Sequence, residues 1–170
     1  HKINEAYPRE NEIPFDSDRK RMITVHDITD PKADDFSPFY DQKVKGWDVI
    51  AVKGAPDMVL DLCTQYQAMN DETEPLDAKA RKRILDANDA MTADALRVLG
   101  LAYRLERDVP DRELSPEEVE KDLVFVGLVG MIDPPRPEAK TAIETCARAG
   151  IKPIMITGDH PITAAAVARE

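Results

Sequence analysis

The 170-residue sequence has two cysteines, one tryptophan, seven glycines and no apolar run approaching 18 residues. Without such a run, no stretch is long enough to span a bilayer as a helix. The longest strongly apolar stretch, Leu123 to Ile132, is strand-sized. Positive charge is also scarce, with 23 Lys and Arg against 33 Asp and Glu and a formal net charge of −10. That excludes a general nucleic-acid surface, which needs clustered cations to neutralise phosphates. A small anion remains possible, because a few locally placed cations suffice for one. Cys63 and Cys146 lie far apart, with no CxxC pair. They read as two reduced thiols in a cytosolic setting rather than a disulfide framework or a zinc site. The opening His1-Lys2-Ile3-Asn4-Glu5 lacks both a signal-peptide plan and a Met, and reads as cut from something longer.

What is present has ordinary globular proportions, 42% hydrophobic and 33% charged. Residues 1–14 are polar with two prolines and read as an arm. Met22 to Ile28 and Trp47 to Val52 are β-branched, strand-like runs, separated by a loop from Asp30 to Asp41. Pro56 suits a first helical turn. Behind it Val59, Leu62, Cys63 and Tyr66 recur at i, i+3, i+4 and i+7, which predicts an amphipathic helix. A second helix is expected from Asp77 to Ala93, a strand from Leu96 to Arg104, and an acidic loop from Glu106 to Asp122.

The pattern then changes. The strand Leu123 to Ile132 runs into a rigid break, Asp133-Pro134-Pro135-Arg136-Pro137. A helix follows with Ala139, Ala142, Ile143, Cys146 and Ala147 on one face and Gly150 as its C-terminal glycine. Ile151 to Ile156 reads as a further strand, then Thr157-Gly158-Asp159, then a helix from Pro161 to Glu170. The fold class expected is therefore an α+β domain over 1–132, with a largely antiparallel sheet and flanking helices. A partial α/β, Rossmann-like segment over 137–170 should follow it.

Four segments have the residue types of a ligand site. Phe15-Asp16-Ser17-Asp18-Arg19-Lys20-Arg21-Met22 sets an aromatic beside cations at the mouth of a strand. Base stacking on such a ring contributes roughly 1–3 kcal/mol, although the segment is also what a solvated turn with Phe15 plugging the core would look like. Val52-Lys53-Gly54-Ala55-Pro56 offers a mobile cation and a glycine that permits close approach, or simply a strand-to-helix connection. Arg97, in the apolar run Leu96 to Ala102, points either to solvent or to an anion. Met155-Ile156-Thr157-Gly158-Asp159-His160 is a strand–turn–helix start, either an anion-binding geometry or a plain helix cap by Asp159. His26 and His160 are isolated, with no Cys or second His at ligand spacing.

Taken together and in this order, the segments resemble the P-type ATPases of the calcium-pump and sodium/potassium-pump branch. The Asp133-Pro134-Pro135-Arg136 and Thr157-Gly158-Asp159 motifs, the Lys53-Gly54-Ala55-Pro56 motif, the Phe15 to Met22 stretch and the Arg97 strand all match, and the likeness covers 13–170. It implies that residues 1–132 belong to a nucleotide-binding domain incomplete at its N-terminus. Residues 133–136 would be a hinge, and 137–170 the start of a haloacid-dehalogenase-type phosphorylation domain. It further implies that Phe15 stacks on adenine, that Met22 walls the pocket and that Lys20, Lys53 and Gly54 line it. Arg97 would meet the phosphates, and Thr157, Gly158 and Asp159 would approach the terminal phosphate and Mg²⁺. ATP and Mg²⁺ are the implied cofactors. The implied partners are the actuator, phosphorylation and transmembrane domains of the same pump, with no nucleic acid, and the location is the cytoplasmic face of a membrane-embedded protein.

The chain departs from the pattern in several places. Ser17 stands where many calcium pumps have a basic residue. The Asp-Lys-Thr-Gly, Thr-Gly-Glu and Gly-Asp-Gly motifs do not occur, so no catalytic residue and no metal ligand is assigned to this chain. The resemblance also implies that sheet strands precede the chain, which would leave an exposed edge able to pair with another copy. The whole protein would couple ATP hydrolysis, through an aspartyl phosphate elsewhere, to cation transport, with calcium the leading ion. A soluble haloacid-dehalogenase-like phosphatase fragment is the competing reading, and the Phe15 and Lys53 motifs are its discriminator. A purely structural interaction domain is the third.

Overall fold

The β-branched runs form strands and the long Ala- and Arg-rich run forms a helix in a computed structural model of the chain. The structure describes residues 2–29, 31, 39, 42–69, 72–94, 96–107, 109, 110, 112, 114–132, 136–157, 164, 165 and 168. In chain order the elements are α1 (Lys2–Ala6), β1 (Arg9–Asp16), β2 (Arg21–Asp27), β3 (Asp48–Gly54), α2 (Pro56–Leu60), β4 (Cys63–Gln67) and β5 (Thr73–Pro75). They continue with α3 (Ala78–Ala93), β6 (Arg97–Glu106), α4 (Pro116–Val119), β7 (Leu123–Met131) and α5 (Pro137–Arg148).

The strands make one seven-stranded sheet in the order β1-β2-β3-β6-β7-β4-β5. The pairs β1–β2, β2–β3, β3–β6 and β4–β5 are antiparallel and β4–β7 is parallel, so the sheet is mixed and largely antiparallel. Period-two alternation decides what each face carries. In β2, Arg21, Ile23 and Val25 are buried, while Met22, Thr24 and His26 point the other way and are only half-buried. Ile23 opposes Val52 and Val25 opposes Ile50. These four join Val59, Leu60, Leu123 and Phe125 in the main core. Each Å² of apolar surface buried in this layer contributes about 25 cal/mol. A smaller cluster of Tyr7, Ile28 and Val49, with Phe39, Trp47 and Tyr103 packed on it, closes the end of the sheet near α1.

Three expectations from the sequence are corrected. The helix read through Val59, Leu62, Cys63 and Tyr66 stops at Leu60, and Cys63–Gln67 is β4. Val59 and Cys63 both face the core, but from consecutive elements, and Cys63 pairs beside Leu123 of β7. That imitates a helical repeat. The supposed arm over 1–14 holds α1 and the edge strand β1, which buries so little of itself that alternation hardly marks it. Its Pro14 is tolerated because one side of an edge strand needs no partner. Finally, Ile151 to Ile156 forms no strand. A parallel strand needs flanking strands, no described segment pairs with it, and Ile154 and Ile156 are 80% and 93% exposed.

Contacts divide the chain into two units, residues 1–85 with 99–129 and residues 86–98 with 130–170. In the second unit α5 ends as read, with Gly150 at φ 73° and the Ile151 N–H reaching back to the Cys146 carbonyl at 2.8 Å. Its apolar face, with Ile143 exposed, is uncovered among the described residues. The Asp30 to Asp41 loop, apart from Pro31 and Phe39, lies outside the described residues, as do Asp133, Pro134, Pro135, and the Pro161 to Glu170 helix apart from Ala164, Ala165 and Ala168. No helix among the described residues is long and apolar enough to cross a membrane.

Candidate functional site

The turn joining β1 to β2 is built by Asp16. Its Oδ1 accepts the N–H groups of Asp18 at 3.0 Å and Arg19 at 2.8 Å, and its carbonyl accepts the Lys20 N–H at 2.7 Å. A carboxylate that folds back on the next backbone amides is the ordinary device of an aspartate turn. The amide of Arg19, foremost, holds the Asp16 carboxyl below its usual value. Lys20 leaves the turn at φ 52°, the left-handed region that an L residue rarely enters. The two arginines flanking it both close on Glu120. Arg19 Nη1 donates to Oε1 at 2.6 Å, Arg21 Nε donates to Oε1 at 2.9 Å, and Arg21 Nη2 donates to Oε2.

The Lys53-Gly54-Ala55-Pro56 turn sits directly beside it. In the antiparallel register Met22 opposes Lys53 and Arg21 opposes Gly54. A Cβ on Gly54 would lie 2.5 Å from the Arg21 Cβ and 2.7 Å from its Cα, and closer still to the Lys20 carbonyl. Ala55 N–H donates to that same carbonyl at 2.9 Å. The space in front of Gly54 is thus filled by the chain itself, so glycine is required there by the approach of the two turns. Pro56 then opens α2 and is buried.

The face of β2, β3 and β6 opposite the main core forms the floor of a cavity of about 950 Å³, within the range of small-ligand sites. Its floor is three rows, Met22–Lys53–Leu101, Thr24–Ala51–Tyr103 and His26–Val49–Leu105. The His26 ring lies between the Tyr7 carbonyl, 3.1 Å from Nδ1, and the Thr24 hydroxyl, 2.9 Å from Nε2. Tyr103 donates its hydroxyl to Gln67 at 2.9 Å. Among the described lining residues the basic groups are Lys53, Arg9 and His26 and there is no Asp or Glu, in a chain of net charge −10. Such a cavity suits a ligand with a flat apolar body and an anionic part. Among the described residues it supplies no carboxylate for a divalent cation, and no cluster of three or more metal-ligating residues occurs.

Of the residues singled out from sequence, Met22 and Lys53 line the cavity. Phe15 does not line it and does not plug the core; it is 64% exposed on β1. Lys20 is exposed at the turn, and neither Lys20 nor Lys53 forms an ion pair among the described residues, whereas Arg19 and Arg21 are held by Glu120. Arg97 is the exposed first residue of β6 and is absent from the lining. Arg136 is the exposed residue before α5, and Thr157 is exposed outside regular structure. Gly158, Asp159 and Asp133 to Pro135 lie outside the described residues. The sequence reading missed Glu120, Asp16 and the second and third rows of the floor. The rows were recoverable from the alternation Met22, Thr24, His26. Glu120 gave no signal, being one acidic residue in an acidic loop.

A family model described as P-type ATPase, cytoplasmic domain N, matches residues 1–138. Among individual relatives, calcium-transporting ATPase 1 of Bacillus cereus is 40% identical over 168 residues, covering 99% of this chain and 17% of the relative. A calcium-transporting ATPase of Listeria monocytogenes is 37% identical over 169 residues, covering 99% of this chain and 17% of its own length. The sodium/potassium-transporting ATPase subunit alpha of Tetronarce californica is 35% identical over 173 residues, covering 98% and 16% respectively. The chain therefore spans about 17% of the length of the curated relatives it matches. With most of its length inside that family match, the chain belongs to the P-type cation-transporting ATPases, as a piece that includes cytoplasmic domain N sequence.

Proposed function

We propose that this chain is the ATP-binding portion of a P-type cation pump, with the nucleotide seated on the β2–β3–β6 face. The observation that carries the reading is the row Met22–Lys53–Leu101 in a cavity whose described lining residues include no carboxylate. Met22 and Leu101 give an apolar wall and Lys53 a cation that can reach phosphate oxygens. Phe15, exposed at the end of β1, stacks on the adenine, Lys20 adds a second cation, and Gly54 brings the two turns together. Arg97 meets the phosphates.

In the whole pump, residues 1–132 act as the nucleotide domain, Asp133 to Arg136 as the hinge, and 137–170 as the start of a haloacid-dehalogenase-type phosphorylation domain. Thr157, Gly158 and Asp159 lie near the terminal phosphate once ATP is delivered. Mg²⁺, when bound with the nucleotide, would supply neutralisation of phosphate charge. This chain's residues bind and orient ATP, while the accepting aspartate and the ion site belong to other parts of the pump. Calcium is the ion that two of the relatives name.

Edge-to-edge self-association is not part of the reading. β1 carries Arg9, Glu10, Glu12 and Pro14, and β5 is three residues long, features that oppose strand pairing. The phosphatase reading has no observation in its favour, since the family match covers 1–138, the portion such an enzyme does not require.

The test is calorimetric titration of the chain with a non-hydrolysable ATP analogue. Lys53→Ala is expected to weaken binding about tenfold, the scale of one charge-assisted hydrogen bond. Equal affinity of the two proteins would remove the assignment of the cavity.

A further inference from the structure

We infer that Glu120 is a positioning residue for the nucleotide site, gripping Arg19 and Arg21 so that Lys20 is presented in its left-handed conformation beside the Lys53 turn. The inference rests on the nucleotide reading above and deepens it. Glu120 is fixed from below. It follows α4, whose Val119 is buried in the main core together with Leu114, and its N–H donates to the Pro116 carbonyl at 2.8 Å. Its side chain is 8% exposed and that of Arg21 10%. Arg21 is therefore a nearly buried cation whose compensating charge is Glu120, and a buried charge without its partner is strongly disfavoured.

The grip reaches Lys20 through backbone atoms. Arg21 uses Nε and Nη2 on Glu120 and its remaining Nη1 on the Arg19 carbonyl, at 2.9 Å, one residue before Lys20. Arg19 meanwhile spans from Glu120 to the Pro14 carbonyl at 3.1 Å. The turn is thus held at Pro14 and Arg19 from one side and by Asp16 from within. Lys20 needs this support because its φ of 52° is a left-handed conformation that an L residue other than glycine rarely adopts unaided. The Lys20 carbonyl then receives the Ala55 N–H, so the same grip sets where the Lys53 turn ends. Arg19 and Arg21 spend their donors on this frame, which leaves Lys20 and Lys53 as the cations of the two turns that are free of ion pairs among the described residues.

The experiment compares the chain with Glu120→Gln and with the double variant Glu120→Gln/Arg21→Gln, in which no unpaired charge is left at the nearly buried position 21. Two readouts are taken: amide hydrogen exchange without ligand, and affinity for adenosine and for a non-hydrolysable ATP analogue. The expected result is exchange about tenfold faster at Lys20 and Ala55, with the core amides of Val25 and Ile50 unchanged. ATP-analogue affinity should fall about tenfold while adenosine affinity holds. Unchanged exchange at Lys20 and Ala55 overturns the inference, whatever the ligand does. So does an equal loss for adenosine and the ATP analogue, or core exchange that accelerates as much as the turn. A wild-type chain that binds neither ligand overturns the nucleotide reading itself and this role with it. The exchange data still separate that failure from failure of the grip.

Discussion

A methyl group placed on Gly54 would lie 2.5 Å from the Cβ of Arg21, so the strand that ends in the lysine turn and the strand that begins after the basic turn meet with no room for a side chain. Gly54→Ala is accordingly expected to force the two turns apart. The cost should be about 1–3 kcal/mol in urea unfolding, typical of overpacking. Gly127, with open space where its Cβ would point, is the control, and Gly127→Ala should stay within about 0.5 kcal/mol. An unchanged midpoint for Gly54→Ala would show that the close approach is not a constraint.

Ala51 is the small residue in the middle of the cavity floor, between Thr24 and Tyr103. Ala51→Leu should fill the space a ligand needs while leaving the main core, on the other face, intact. The expected outcome is loss of ATP-analogue binding by more than about tenfold with little change in unfolding midpoint. Undiminished binding would move the ligand off this face.

Glu118 of the α4 turn has a carboxyl held well below its usual value. The hydrogen bond from Arg112 and then the Ser115 N–H bring its carboxyl from 4.5 down to about 2. A carboxylate whose folded value is depressed stabilises the fold above its unfolded value and loses that contribution as pH falls through the folded one. The window here runs from about 4.5 to about 2. An NMR pH titration should find the Glu118 midpoint near the lower limit, and Arg112→Ala should raise it. A midpoint near 4.5 in the wild type would contradict the bond.

Cys63 and Cys146 should differ sharply towards alkylating reagents. Burial pushes the Cys63 thiol up to about 12, and its Sγ–H donates to the Val59 carbonyl at 3.2 Å, whereas Cys146 is partly exposed on α5. Because the thiolate is the reactive form, one thiol should react at pH 8 in native protein and the second only on unfolding. Simultaneous labelling of both would mean that β4 opens readily.

How much of this could be read beforehand depended on whether a residue's role is local. The β2 and β3 strands, α3 and the Gly150 helix end follow from alternation, helix propensity and a positive φ, all properties of neighbours in sequence. Lys53 and Met22 were visible as motif members, and the register that sets them side by side was not. β1 was hidden because an edge strand with Pro14 buries almost nothing, and β4 because Val59 and Cys63 reach one core from two elements. Glu120 acts on residues about a hundred positions away in the chain, a relation that no local pattern encodes. Ile151 to Ile156 has the composition of a buried strand and, among the described residues, none of the neighbours that would make it one.

The most direct test of the central claim is a two-dimensional NMR titration of the chain with a non-hydrolysable ATP analogue, read residue by residue. The account predicts saturable shifts at Phe15, Lys20, Met22 and Lys53 and along the Thr24–Ala51–Tyr103 row, all weakened in Lys53→Ala. Shifts that saturate elsewhere, or that persist unchanged in Lys53→Ala, would contradict it.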